Sequence, residues 1–301
     1  MNLSGFDDCW YGKWFKTRIF GKIHVFVPST EGAKRILAND FVEFNKGYLK
    51  SMADAAGHKS LFAVPHESHT RIRRLLSDTF SMTSLSIFVK KFDNMLCERL
   101  KKLEADGKSF RVIDFTLKLT FDAMCDLLMS ITDDSLLQQL GRDCKDVSSA
   151  IISFPVMIPG TRYYKGMKAR KRFLETFKEM ISKRRSGKEY HEDFLQSMLQ
   201  RDSYPPSEKL DDSEIMDNLI VLLLSGQASS SAAMMWSVKY LDENRQVQDR
   251  LREEQLSINR NKPDGASLSL EDLNKMSYCL KVAKETLRMS NAVLWFPSCC
   301  T

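Results

Sequence analysis

No two of the seven cysteines (Cys9, Cys97, Cys125, Cys144, Cys279, Cys299 and Cys300) stand at CxxC spacing. With the odd count, this excludes a secreted disulfide framework and a zinc framework. A reducing, cytosolic-side environment is expected. No run approaches the ~18 consecutive apolar residues of a membrane-spanning helix. The longest candidate, Leu219 to Leu224, is six residues long. The N-terminus lacks a basic-then-apolar signal. As written, the chain carries neither anchor nor address, and it has no internal repeat.

What is there reads as a large folded domain. Hydrophobic residues make up 43% and charged residues 28%, which excludes disordered and fibrous classes. A chain of 301 residues buries roughly 75% of the surface it exposes when unfolded, so a core needs no staples. The net charge of +6 is uneven. Between Arg162 and Lys188 stand eleven Lys and Arg against two Glu, a local +9, while the rest carries −3. A uniformly basic nucleic-acid binder would look different. One rival class stays open on this segment, a non-catalytic helical protein that binds anionic membrane, a partner or nucleic acid through residues 162–188.

The pattern predicts a mainly α fold with a small β-hairpin at its start. Residues 14–20 and 23–27 partly alternate around a Gly21-Lys22 turn. A short helix follows, capped by Ser29 or Thr30. Residues 45–62 read as a loop with one helical turn. From residue 66 the helical period takes over. Helices are expected to Asp106-Gly107, over 112–129, 135–152, the basic segment, 193–200, 211–244, 244–260, and from a Ser269 cap to Met289. The helix starting at Asp211, with Glu214 at capping-box spacing, is the longest. Thirty residues span ~45 Å, enough to cross a domain.

Three constellations could carry chemistry. In the long helix, Ser225-Gly226-Gln227-Ala228-Ser229-Ser230-Ser231 places small polar groups between apolar flanks. Ser hydroxyls can bond the carbonyl one turn back and bend the helix. The small side chains admit either a flat group against the backbone or a closely packed neighbouring helix. Next, Glu285 and Arg288 lie three apart on one helical face, the spacing of an ordinary surface pair as well. Last, His69 and Arg73 share a face at i, i+4. Both can donate to one anionic group, and Arg suits a carboxylate. In isolation a basic surface helix has the same pattern.

In this order, His/Trp-xxx-Arg, a Gly- and hydroxyl-bearing notch in the longest helix, then Glu-xx-Arg, the chain resembles cytochrome P-450 monooxygenases. The resemblance runs from the hairpin through Arg288. The linker from Phe154-Pro155 to Pro159-Gly160-Thr161 and the following Tyr163-Tyr164-Lys165-Gly166 resemble the plant clan that oxidises terpenoid and steroid hormones. That clan includes abscisic acid hydroxylases, brassinosteroid oxidases and strigolactone-forming oxidases, and the strigolactone-associated branch is the nearest.

The resemblance implies a partial cytochrome P-450 helical fold with one long central helix. It also implies a haem-thiolate monooxygenase acting on an apolar terpenoid or steroid-like molecule. His69 and Arg73 would bond haem propionates, with Arg71 and Arg74 flanking a face where an acidic reductase docks. Gly226 would let the long helix bend over the haem. Ser229 would be the distal hydroxyl, helped by Ser230 and Gln227 in carrying water. Glu285 and Arg288 would brace the core. Residues 41–62 and 153–160 would line the substrate entrance. Electrons would come from NADPH through a reductase, at the cytosolic face of the endoplasmic reticulum membrane, and no nucleic acid is expected.

Two departures stand beside the resemblance. Ala228 occupies the place of the family's usual acid. The family's Phe-xx-Gly-x-Arg-x-Cys-x-Gly loop is absent, so no metal ligand is assigned. The expectation is one incomplete domain over 1–301, with a β-containing part at 1–60 and a helical part at 61–301. It would lack the membrane anchor, be cytosolic or peripheral, and be inactive for want of the proximal Cys.

Overall fold

The computed structural model describes residues 14–19, 22–39, 42–80, 82–260, 262–263, 265–290 and 298–300. It opens with strands β1 (Phe15–Ile19) and β2 (Lys22–Phe26), antiparallel with Phe15 opposite Phe26 and Ile19 opposite Lys22. The hairpin is where the alternation places it, but Lys22 is a paired strand residue and not half of the turn. Gly21 lies outside the described residues. Ser29 caps α1 (Thr30–Ala38) by accepting from the Gly32 N–H at 3.1 Å.

The 45–62 stretch departs from the loop expectation. It holds strand β3 (Phe44–Lys46) and a seven-residue helix, α2 (Lys50–Ala56). Helix α2 exists because Ser51, Ala55 and Ala56 are buried against the helices beyond it. Tertiary burial thus overrides a weak local signal. Next come α3 (His66–Thr79), α4 (Met82–Asp106), α5 (Val112–Met129), α6 (Asp134–Ile151), α7 (Arg162–Arg185) and α8 (Phe194–Leu199).

Helix α9 (Asp212–Glu243) runs 32 residues. Its capping box is complete: the Asp211 carboxylate accepts from the Glu214 N–H at 2.8 Å, and Glu214 from the Asp211 N–H at 2.9 Å. By length and composition α9 could cross a membrane. Among the described elements it packs chiefly on α5, and its buried residues are Ile215 to Ile220, Leu223, Leu224 and Ser231. Phe173, Phe177, Leu119, Leu195, Leu219 and Ile220 are fully buried around this α5–α7–α9 centre. Each contributes roughly 1.5–3 kcal/mol by leaving water.

After α10 (Arg245–Arg260), the single helix expected from Ser269 to Met289 is two, α11 (Leu270–Lys275) and α12 (Ser277–Met289). Met276 breaks the run at φ −80°, ψ 59° and is buried. The Glu254 carboxylate of α10 accepts from the N–H groups of Tyr278 and Cys279 at 2.7 and 2.9 Å, capping α12 from outside. Strand β4 (Ser298–Cys300) pairs antiparallel with β3.

Candidate functional site on the long helix

The Ser225–Ser231 stretch turns out to serve two faces. One is a seam. A Cβ on Gly226 would sit 2.6 Å from Met124 Cε and 2.7 Å from Sδ, the flexible end of a side chain on α5. Ser231 is fully buried and shares a hydrogen bond of 2.8 Å with Thr116. Gln227 donates to the Leu117 carbonyl at 3.2 Å and accepts from the Cys144 thiol at 3.1 Å. Gln227 thus has a protein partner at both its amide nitrogen and its amide oxygen. Helix α9 runs continuously through Gly226, with the Met124 side chain of α5 beside it.

The other face is open. Ser225, Ala228, Ser229 and Ser230 are exposed. The Ser229 hydroxyl donates to the Ser225 carbonyl at 2.6 Å, the back-bond expected of a helical Ser. One side of the helix thus packs against its neighbours, and the other is an exposed face of small residues.

On α3, Ile72, Leu75 and Leu76 face the core, while Arg73 is exposed and His69 half-buried one turn earlier. The pair keeps its shared face. Arg71 and Arg74 do not stand ready for a docking partner. Arg71 donates to the Lys209 carbonyl at 2.7 Å and pairs with Glu214 of the α9 capping box. Arg74 pairs with Glu208 at 2.7 Å. Their acids lie in the approach to α9, where helix capping concentrates carboxylates.

On α12, Arg288 grips Glu285 with both prongs, at 2.7 and 2.6 Å. The Arg288 bond holds the Glu285 carboxyl below its ordinary range. Both side chains are more than half exposed.

The two stretches read as entrance walls are joined through α2. Ser51 donates to the Ile151 carbonyl at 2.8 Å, and the Tyr163 phenol donates to Asp54 at 2.5 Å. Burial, then the Asp54 bond, pushes that phenol up to about 12. Both ends of the elbow between α6 and α7 are thereby held. The elbow itself exposes Phe154, Val156, Met157 and Ile158. The loop after α2 is tied to α9 as well: Asp217 accepts from the Lys59 N–H at 3.0 Å and from Arg170, and Asn218 from the Leu61 N–H at 2.8 Å. Sequence reasoning missed these two. Their signal was a polar pair inside the apolar run Ile215–Leu224.

Helix α7 is basic, and four of its arginines reach acids on other elements. Arg170 pairs with Asp217, Arg172 with Asp143, Arg184 with Asp193, and Arg185 with Asp202 and Asp212. Arg162, Lys165, Lys168, Lys171, Lys178 and Lys188 remain exposed in the same segment, and none of these pairs favours the rival reading of residues 162–188.

This helical plan, built around one long helix, has counterparts among known proteins. The cytochrome P450 family model matches residues 8–298. The chain belongs to the cytochrome P450 family. It is 26% identical to beta-amyrin 11-oxidase of Glycyrrhiza uralensis, over 92% of this chain and 58% of that protein. It is 29% identical to abscisic acid 8'-hydroxylase 1 of Arabidopsis thaliana, over 93% and 59%. The structure of retinoic acid bound cyanobacterial CYP120A1 superposes with a TM-score of 0.81 at 24% identity, covering 95% of this chain and 65% of that one. The chain thus spans about three fifths of the length of the curated relatives it matches.

The family implies haem, and the described residues fit it in part. The α9 face exposes small residues, and His69 and Arg73 share a face of α3. An axial thiolate is not offered among the described side chains. Cys125 and Cys144 are buried, and burial pushes both thiols up, Cys144 to about 12. Cys279 is half-buried beside Glu254, and its thiol is pushed up too. Cys97 is exposed on α4. A thiolate ligand needs the opposite environment.

Proposed function

We propose that this chain is the helical portion of a haem-thiolate monooxygenase that oxygenates an apolar terpenoid or steroid-like molecule of a plant hormone or terpenoid pathway. The observation that carries it is the open Ser225–Ala228–Ser229 face, backed by the tight Gly226 and Ser231 seam. The names of the relatives, an oxidase of beta-amyrin and a hydroxylase of abscisic acid, support the substrate class. Bound haem supplies activation of dioxygen for insertion into a C–H bond.

This chain's residues then bind and orient. His69 and Arg73 donate to the propionates. Ser229 and Ser230 hold water beside the reacting face, and Gly226 lets α9 bend over that face. With Ala228 in place of an acid, no side chain there ionises, so proton delivery rests on hydroxyls, water or the substrate. Glu285 and Arg288 brace the core. Residues 1–301 act as one domain. The apolar elbow and the exposed Arg162, Lys165 and Lys168 beside it support contact with a membrane surface, at the cytosolic face of the endoplasmic reticulum. An NADPH-dependent reductase supplies electrons.

Burial keeps the protons of Cys125, Cys144 and Cys279 in place, and on this reading no described thiol ligates the haem iron. A reduced-CO difference spectrum of the purified, haemin-treated chain tests this. The expected result is no Soret band at the thiolate position; a thiolate-type band contradicts it.

A further inference from the structure

The long helix must present one particular face to the site, and something must hold its rotation. A helix turns 100° per residue, so slippage by one position would put Gln227 and Ala228, or Ser229 and Ser230, where Ala228 and Ser229 stand. Leucines do not resist such rotation well, because they pack in many ways. Directional bonds do.

We infer that Gln227 is a positioning residue that fixes the azimuth of α9, and so sets which small residues face the site. This inference rests on the proposed function for its meaning, but not for its geometry. Gln227 is the only residue of the Ser225–Ser231 stretch whose described side chain bridges two other helices. Its amide nitrogen donates to Leu117 O on α5 at 3.2 Å. Its amide oxygen accepts from Cys144 Sγ on α6 at 3.1 Å. Its own carbonyl accepts from Thr120 Oγ1 at 3.3 Å. The pair Ser231–Thr116, one turn on, holds the same edge at 2.8 Å. Together these fasten one line along α9, and Ser225, Ala228 and Ser229 fall away from it.

The thiol partner suits the task. Cys144 is almost completely buried, and burial keeps its proton in place, so it stays an S–H donor at neutral pH. An amide satisfies a donor and an acceptor at once, which no acid or hydroxyl of similar reach does. Gln at this position therefore has a reason that neither apolar packing nor water binding supplies.

The test is cysteine accessibility, read peptide by peptide with a maleimide and mass spectrometry. In single variants Ser229→Cys and Ser231→Cys, position 229 is expected to label at least about tenfold faster than position 231. Adding Gln227→Met should shrink that contrast by about tenfold, the scale of losing two neutral hydrogen bonds. Cys144→Ser keeps a donor and should preserve the contrast. Cys144→Ala should weaken it in the same direction, which keeps the test alive should Gln227→Met fail to fold. A contrast unchanged in Gln227→Met and Cys144→Ala, even with a lowered unfolding midpoint, overturns the inference. Should the contrast collapse while haemin affinity stays constant, the rotational lock stands and the haem reading of that face fails.

Discussion

At the scale of single residues, two glycines in similar surroundings should answer oppositely to alanine. Gly57 sits at φ +98°, and a Cβ there would land on the Asp217 carboxylate. Gly57→Ala is expected to cost at least about 2 kcal/mol, from left-handed strain plus the clash. Gly141, inside α6, has Phe121 3.6 Å away, an ordinary contact. Gly141→Ala should stabilise by about 0.5–1 kcal/mol through helix propensity. Urea midpoints measure both. Asp272 gives the pH case. The Lys262 bond at 2.9 Å, then the Ser269 N–H at 2.9 Å, hold its carboxyl far below the usual range. A depressed acid stabilises above its unfolded value and loses that contribution as pH falls through its folded value. Asp272→Asn should thus melt earlier than wild type at pH 7, with the gap closing below about pH 4. A gap independent of pH would contradict the assignment.

At the scale of elements, the start of α9 is a junction. Asp211, Asp212, Glu214 and Asp217 each hold a cation from elsewhere: Lys59, Arg185, Arg71 and Arg170. Next to it, Arg184 and Asp193 form a pair only 1% exposed on each side, and Arg184 also donates to Met129 O at 2.8 Å. Removing one partner of such a pair strands a charge. Arg184→Met is expected to cost about 3–5 kcal/mol, and Arg184→Met with Asp193→Leu to recover most of it. Calorimetric unfolding of the single and double variants decides; equal losses would refute the stranded-charge account. These junctions were only half legible. The caps at Ser29, Asp211 and Ser269 and the limits of α5 were readable because their signals are local. The α11–α12 break was not, since Glu254 caps α12 from another helix. Strand β3 escaped for the same reason: its partner Cys300 stands across nearly the whole chain.

At the scale of the molecule, the family and the helical plan were legible from three spaced motifs, and the site was legible in part. The pairs His69–Arg73 and Glu285–Arg288 needed only an intact helix to share a face. The notch needed more. Composition left open a packing seam or a flat approach, and only three-dimensional neighbours divide Gly226, Gln227 and Ser231 from Ser225, Ala228 and Ser229. The central claim is that this second set forms a wall for a flat group. Titrating the purified chain with haemin, followed by Soret absorbance, tests it most directly when wild type is compared with Ser229→Trp and with Ser197→Trp, a control on α8. The account predicts that Ser229→Trp weakens binding by about tenfold or more, the scale of ~1.4 kcal/mol, while Ser197→Trp binds like wild type. Equal affinity in all three proteins would contradict it.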